Sequence, residues 1–298
     1  MNKPLPIVLC FSGNDPTGGA GLQADIEAVA SMGARVAPVI TALTVQDTQN
    51  VKYFSATDAK MVAEQARAIL EDMPVAAFKI GMVGDLANID VIHNILHDYR
   101  DLPVIVDPII SAGGGMALAT EEMALAYSDL LFPLTNLVTP NSNEVRLLAP
   151  EADSLDSCAQ ELMDDGCEYV LLTGTHESTE TVINSLYGHH QKIHSTSWER
   201  LAYSYHGSGC TLTSAIAALI ALGHPIPDAV NIAQEYAWQT LVHGYQSGMG
   251  QHHPDRLFWT KNWVETWLEC WKESRAKNWK KLTPENLQAN QSRTRKDN

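Results

Sequence analysis

Two glycines ahead of an apolar helical run form the clearest chemical signal in this sequence. The segment is HGSGCT at residues 206–211, and LTSAIAALIAL follows it at 212–222. Small residues at a helix start leave several backbone N–H groups unpaired at the positive end of the helix dipole, where an anion can bind. Cys210 falls in the first turn, where the pKa of a thiol tends to fall. A small cysteine buried beneath the helix is an equally good interpretation of this residue.

A second glycine-rich turn, SGNDPTGGAG at residues 12–21, lies between a predicted strand and a predicted helix. It contains Gly19-x-Gly21-x-x-Ala24, a partial match to the dinucleotide-binding fingerprint. The glycines come several residues after the strand, and no acidic residue closes the next strand about 20 positions on. The turn also lacks the Gly-Lys-[Ser/Thr] ending of a Walker A loop. It fits close approach of the backbone to a ligand, with a flexible turn as the alternative.

Two further turns carry acidic or amide side chains at strand ends. Asn141 and Glu144 stand three residues apart after the run LVT, a spacing typical of a helix cap. The functional alternative is that both oxygens face a hydrated Mg²⁺, which keeps several waters and takes one or two protein carboxylates. Asp107 ends the run PVIVD, where an aspartate is as often a turn former as a phosphate or metal partner.

The cysteines and histidines show no spacing typical of a metal site. Five cysteines are present without a CxxC motif, which favours reduced thiols in a cytoplasmic protein. His189 and His190 lie in a predicted hairpin turn, and His252 and His253 lie in a predicted loop. Neither pair has the i,i+4 spacing of a helical zinc site, so we expect solvated loop histidines.

Composition excludes several classes of protein. The 298 residues are 45% hydrophobic and 18% charged, which is globular and too apolar for a disordered chain. The net charge of −15 argues against a general nucleic-acid binder, because phosphate contacts come mainly from Lys and Arg. We expect no membrane span, since no apolar run approaches the roughly 18–20 residues that one requires. The apolar N-terminal run is too short for a signal peptide.

Short apolar runs alternate with longer helical patterns along the chain. The predicted strands are PIVLCF, VAPVIT, VAAFKI, PVIVD, TNLVT and YVLLT, and the predicted helices span 22–32, 58–71, 87–98, 120–131, 155–164, 209–222 and 228–243. This order predicts a single α/β domain whose parallel sheet is buried on both faces. The segment TVINSLYGHHQKIHST predicts a late β-hairpin. Ligands of such sheets bind beyond the carboxyl ends of the strands, where the four turns fall.

The four turns, in this order, resemble the ribokinase-like superfamily, and within it the hydroxymethylpyrimidine/phosphomethylpyrimidine kinases of thiamine biosynthesis. SGNDPTGGAGLQADI is similar to that family's substrate loop, and VITALTVQDT to its pyrimidine-binding segment. FKIGMV, VDP, TPNSNE and HGSGCTLTSAIAA follow in the expected order. The resemblance covers roughly residues 6–258. It implies a three-layer α/β/α fold with a mainly parallel sheet over residues 1–258, ATP and Mg²⁺ as cofactors, and a homodimer.

Residue roles follow from the resemblance by position. The implied phosphoryl-transfer residues are Gly207, Ser208, Gly209 and Cys210, with Cys210 where sugar kinases carry Asp. The implied pyrimidine-site residues are Gln46, Gly13, Asp25 and Met82. The implied ATP- and phosphate-binding residues are Asn141, Glu144, Asp107, Thr173 and Gly174, with Glu144 and Asn141 reaching Mg²⁺ through water. Many relatives carry lysines where this chain has the Gly-rich segment 113–115, Thr173 and Gln234.

Three other functions compete with an ATP-dependent kinase of a hydroxymethylpyrimidine and its monophosphate. A vitamin B6 kinase of the same superfamily is the nearest, since its substrate is also a hydroxymethyl heteroaromatic. A Rossmann oxidoreductase is supported by the partial match over residues 19–24, and a non-catalytic sensor by the missing lysines.

The C-terminal segment is a separate prediction. Trp259, Trp263, Trp267 and Trp271 recur every four residues, which predicts an amphipathic helix over 259–281 with one tryptophan stripe. We expect this helix to dock on the kinase body. The polar, basic residues 282–298 are predicted to be disordered.

Overall fold

The computed structural model describes residues 4–110, 116, 118–261, 264–269 and 271–272. Residues up to Arg256 form one compact unit, and the residues from Leu257 onward form a second. The strands are Ile7–Asn14 (β1), Arg35–Gln46 (β2), Val51–Ala56 (β3), Val75–Ile80 (β4), Val104–Val106 (β5), Leu137–Val138 (β6), Tyr169–Thr173 (β7), Thr181–Gly188 (β8) and Gln191–Glu199 (β9). The helices are Gly21–Ser31 (α1), Ala59–Asp72 (α2), Leu86–Asp98 (α3), Glu121–Ala126 (α4), Ser142–Leu148 (α5), Leu155–Asp164 (α6), Ser208–Ala221 (α7) and Ile226–Val242 (α8).

All nine of these strands join in one sheet, in the order β3-β2-β1-β4-β5-β6-β7-β8-β9. Six neighbouring strands of this sheet run parallel, in the order β2, β1, β4, β5, β6 and β7. Antiparallel strands flank them, with β3 on β2 at one edge and the hairpin β8–β9 on β7 at the other. The predicted parallel sheet and late hairpin are therefore confirmed.

Helices cover both faces of the sheet. Helices α1, α7 and α8 pack together on one face, where α1 and α7 contact β1, and helices α2–α6 form the layer on the other face. Strand β1 shows why: Leu9 and Phe11 belong to the core cluster shared with α2, α3 and α6, while the alternate residues Val8 and Cys10 are also fully buried. A parallel strand buried on both faces is a nearly continuous apolar run, and residues 7–11 of β1 form such a run.

Three local features differ from the sequence prediction. Strand β2 does not end at Thr41 but continues to Gln46, where it pairs with β3, a strand that we did not predict. The helix predicted over 120–131 keeps α-geometry only to Ala126 and then widens into a π-helical turn at Tyr127–Leu131. This turn buries Tyr127 completely. The prediction rested on the helical spacing of apolar residues, which does not distinguish a single π-helical turn from a continued α-helix.

The C-terminal unit is helical at 260–261, 264–269 and 271–272. Trp259, Trp267 and Trp271 are each about half exposed, and docking of this helix stays a prediction. Trp263, the segment 113–115 and the tail 282–298 lie outside the described residues.

Candidate active site

A cavity of about 620 Å³ opens at the carboxyl ends of the parallel strands. Its volume lies within the usual range for small-molecule sites. Most of the predicted site residues line it, namely Gly13, Gln46, Met82, Asp107, Asn141, Glu144, Thr173, Gly207, Ser208, Gly209 and Cys210. The structure thus brings the four chemically distinctive turns of the sequence to one place. Asp25 and Gly174 are the exceptions.

The start of helix α7 supplies backbone donors to this cavity. Gly207 caps the helix in a left-handed conformation (φ 81°), and Ser208, Gly209 and Cys210 form its first turn. By helical geometry, the N–H groups of a first turn have no partner within the helix. A Cβ on Gly207 would overlap the Gly19 carbonyl. Position 207 therefore needs glycine both for its backbone conformation and for the contact between the two glycine-rich turns.

Asp15 organises the first glycine-rich turn and ties it to the second. Its Oδ1 accepts from the Thr17 N–H and hydroxyl, each at 2.8 Å, and its Oδ2 accepts from the Ala20 N–H at 2.8 Å. Oδ2 also lies 2.8 Å from His206 Nε2. Burial raises the pKa of Asp15, but the hydrogen bonds from His206 and Thr17 outweigh it and hold this pKa well below its usual range. Asp15 is therefore a carboxylate at any working pH.

Cys210 does not behave as its helical position predicts. Complete burial, together with the negative charge of Asp107, raises the pKa of its thiol far above the ordinary value. The thiol and the Asp107 carboxyl group lie close enough to shift the pKa of each other. Burial also raises the pKa of Asp107, whose Oδ2 is buried without a hydrogen-bond partner. Of the two interpretations of Cys210, the structure supports a cysteine buried beneath the helix, because desolvation of the thiolate outweighs the helix dipole here.

Asn141 and Glu144 form the helix cap that their spacing predicts. Asn141 Oδ1 accepts from the backbone N–H groups of Asn143 (2.9 Å) and Glu144 (3.0 Å), while Glu144 Oε2 accepts from the Asn141 N–H at 2.9 Å. Both side chains line the cavity as well. Burial, reinforced by the charge of Asp107, raises the pKa of Glu144 to about 8. The cap thus places a carboxyl group where an added negative charge is unfavourable.

Asp25 does not line the pyrimidine pocket, contrary to our expectation. It is completely buried on α1, 2.9 Å from the equally buried ammonium of Lys79 on β4. Hydroxyl groups of Ser12 and Ser214 also donate to Asp25. A Cβ on Gly81 would lie only 2.6 Å from Lys79 Nζ. Successive side chains of β4 point to opposite faces of the sheet, so Lys79 faces α1 and α7 while its neighbours pack into the core on the other face. No local sequence pattern around Asp25 reveals this arrangement.

At the hairpin end of the cavity, Gln234 contacts Asn184 and Trp198, two lining residues that sequence reasoning missed. Gln234 Oε1 accepts from Asn184 Nδ2 (2.9 Å) and Trp198 Nε1 (3.2 Å), and Trp198 stacks on Trp238 with ring centroids 6.0 Å apart. Thr173 lines the cavity at the end of β7. Gly174 does not line it, and its N–H donates to Asn184 Oδ1 at 3.2 Å.

Cations are scarce in this lining. Arg200 is the single lysine or arginine among the described residues that line the cavity. Its guanidinium already donates to the backbone carbonyls of Thr175, Glu177 and Thr179 at 2.8–3.0 Å.

Arg256 and His253, near the end of the first unit, are buried against the site. Arg256 is 2% exposed and donates to Thr211 Oγ1 (2.8 Å), to the Gly18 carbonyl (3.2 Å) and to the Gly19 carbonyl. His253 is 3% exposed, so the expectation of a solvated histidine is wrong at this position. His189 and His190 do form an exposed turn, as expected.

Comparison with solved structures shows that the fold is ribokinase-like. The Bacillus subtilis pyridoxal kinase superposes with a TM-score of 0.77 at 24% identity, covering 85% of this chain and 97% of that one. The phosphomethylpyrimidine kinase of Clostridium difficile superposes with a TM-score of 0.69 at 30% identity, covering 80% and 99%.

The family model for phosphomethylpyrimidine kinase matches residues 15–255, and the chain belongs to this family. The hydroxymethylpyrimidine/phosphomethylpyrimidine kinase of Mycobacterium leprae is 32% identical over 264 residues, covering 84% of this chain and 94% of that protein. The thiamine biosynthesis bifunctional protein ThiED of Geobacter sulfurreducens is 35% identical over 237 residues. This chain spans about half of that longer relative, 48% of its length. The protein is a kinase, and its family implies the use of ATP.

Among the residues that the structure describes, no helix combines the length and apolar composition that crossing a membrane requires.

Proposed function

We propose that this kinase transfers the γ-phosphoryl group of ATP to the hydroxymethyl group of 4-amino-5-hydroxymethyl-2-methylpyrimidine, and then to the resulting monophosphate. The observation that carries the proposal is one cavity lined both by Gln46 and by the first turn of α7. A glutamine amide donates and accepts at once, which suits an aminopyrimidine edge. Helix N-termini favour phosphate groups.

Catalysis in this proposal depends on positioning and on neutralisation of charge, as is general for phosphoryl transfer. Gly207, Ser208 and Gly209 present backbone N–H groups to the transferred phosphoryl group. Burial raises the pKa of Cys210, so it stays a thiol and we do not assign it the role of base.

The residues present fit a bound Mg²⁺. Asp107 Oδ2 has no partner, and the pKa of Glu144 is raised to about 8 by burial and by Asp107, so a cation beside them would relieve an unfavourable concentration of negative charge. Both Asn141 Oδ1 contacts are taken by backbone N–H groups, and we therefore place Mg²⁺ on Glu144 and Asp107 through water. When bound, Mg²⁺ supplies positive charge to the ATP phosphates, in a lining with few cations of its own. A homodimer and a cytoplasmic location stay predictions from the sequence.

Substitution of Gln46 by leucine tests the substrate. In a desolvated pocket the unpaired polar edge of the pyrimidine costs roughly 1–3 kcal/mol, so the KM for the pyrimidine should rise about 5- to 150-fold while the KM for ATP stays unchanged. The assay is coupled release of ADP with the pyrimidine, its monophosphate and pyridoxal side by side. A Gln46→Leu enzyme with unchanged KM for the pyrimidine would contradict the assignment. Faster turnover of pyridoxal by the unmodified protein would favour the vitamin B6 alternative, which likeness to pyridoxal kinases supports at the level of the fold alone.

A further inference from the structure

His206 stands between Asp15 and Gln46 at the edge of the cavity. Its Nε2 lies 2.8 Å from Asp15 Oδ2 and 3.3 Å from the terminal amide of Gln46. All three residues line the cavity. A Cβ on Gly19 would overlap the His206 ring, so this glycine leaves the space that the imidazole occupies. The ring is therefore built into the contact between the two glycine-rich turns.

The proton on His206 Nε2 follows from its partner. An ionised carboxylate only accepts hydrogen bonds, and Asp15 Oδ2 faces Nε2 at hydrogen-bond distance. Nε2 must therefore carry a hydrogen and donate it. A ring nitrogen has room for one hydrogen only, so Nε2 offers no lone pair to Gln46.

The amide of Gln46 then has one favourable orientation. An NH₂ group facing Nε2–H would bring two donors together, whereas the amide oxygen in that place would share the Nε2 hydrogen with Asp15. The oxygen and nitrogen of an amide are assigned from their hydrogen-bond partners. His206 therefore selects the orientation in which Gln46 Oε1 faces the imidazole. In this orientation the two hydrogens on the amide nitrogen of Gln46 are left for a ligand.

We propose that His206 is a positioning residue that fixes the Gln46 amide and thereby selects a heteroaromatic ring in which a ring nitrogen stands next to an exocyclic amino group. The NH₂ of Gln46 donates to the ring nitrogen, and the second lone pair of Oε1 accepts from the amino group. This inference rests on the proposed function, which it deepens. A ring without the amino group leaves that lone pair unpaired in a desolvated site, which is unfavourable. If the Gln46 amide could rotate freely, it would bind ligand edges with either order of donor and acceptor.

Binding of two ligands to the full chain tests this role separately from catalysis. The probes are 4-amino-5-hydroxymethyl-2-methylpyrimidine and the same compound without its amino group, measured by titration calorimetry. The variants are His206→Phe, Gln46→Leu and the double variant. His252→Phe is the matched control, because His252 does not itself line the cavity. Phenylalanine keeps an aromatic ring against Tyr203, a lining residue whose ring centroid lies 4.1 Å from that of His252.

We expect the unmodified protein and His252→Phe to prefer the amino ligand about tenfold, the worth of one well-formed hydrogen bond. His206→Phe should reduce the preference to about threefold or less, Gln46→Leu should abolish it, and the double variant should match Gln46→Leu. Such non-additivity shows that the two residues act through one contact. A preference retained by His206→Phe, or additive losses in the double variant, would overturn the inference. If the unmodified protein binds both ligands equally, the inference fails and the proposed function stands. If it binds neither, both fail.

The tautomer of His206 can be measured directly in the unmodified protein, without any substitution. In the unmodified protein labelled with ¹⁵N-histidine, the His206 Nε2 signal should show a bonded hydrogen. A signal typical of an unprotonated Nε2 would overturn the inference directly.

Discussion

Replacing Lys79 by methionine should destabilise the protein strongly. Lys79 is fully buried, and its Nζ lies 2.9 Å from Asp25 Oδ1 and 3.3 Å from Ser12 Oγ. Burial lowers the pKa of Lys79, but the charge of Asp25 outweighs it and raises this pKa well above the ordinary value. Methionine has nearly the same length and no charge, so the variant removes the ion pair while it keeps most of the packing.

The expected loss follows from what remains around Asp25. Two serine hydroxyls still donate to its carboxylate, but the compensating charge is gone. Breaking a buried ion pair by removing one partner costs about 3–5 kcal/mol.

Urea unfolding at neutral pH measures this loss. The matched control is Arg67→Met, which removes the ion pair with Asp98 at 2.8 Å. Both partners of that pair are about half exposed, and such pairs contribute roughly 0–1 kcal/mol. Adding Asp25→Asn to Lys79→Met should recover part of the loss, because it removes the uncompensated charge. Equal losses in Lys79→Met and Arg67→Met would refute the reasoning.

Two further predictions concern groups whose pKa values are raised. Because the pKa of Glu144 is about 8, Mg²⁺ must displace a proton, and its affinity should rise about tenfold from pH 6 to pH 7. Calorimetry with Glu144→Gln as the control checks this, and a pH-independent affinity would place the cation elsewhere. Burial raises the pKa of the Cys210 thiol, so Cys210→Ser, which keeps a polar hydrogen beside Asp107, should keep far more activity than Cys210→Ala. Equal activity in these two variants, compared from pH 6 to 9, would show that the polar hydrogen is unimportant.

The sheet was predictable from the sequence because its parallel strands are apolar on both faces. Strand β3 was not predicted, since VKYFSA is held as a strand by pairing with the extension of β2 that ends at Gln46. The four site turns were predictable, because glycine, proline and amide residues leave a local signal at strand ends.

Residues placed by distant parts of the chain left no such signal. The pattern VAAFKI indicates a strand, but it does not reveal that the Lys79 ammonium meets Asp25, which lies on another element. The helix position of Cys210 left a lowered thiol pKa and a buried cysteine as equal alternatives, and only the packing around it shows that burial beside Asp107 raises the pKa. His253 and Arg256 were missed for the same reason, since both are buried against turns more than 40 positions away.

The long-range bonds of the site have a consequence for synthesis and folding of the chain. Asp15 and His206 are 191 positions apart, and Arg256 reaches back 238 positions to Gly18. Contacts of such high sequence separation form late, because the loop between them must close first. A nascent chain released from the ribosome up to β7 would hold most of the parallel sheet without the second glycine-rich turn. We therefore expect the protein to bind substrate only after residue 256 has left the ribosome. Only then can Arg256 donate its hydrogen bond to the glycine-rich turn at residues 12–21.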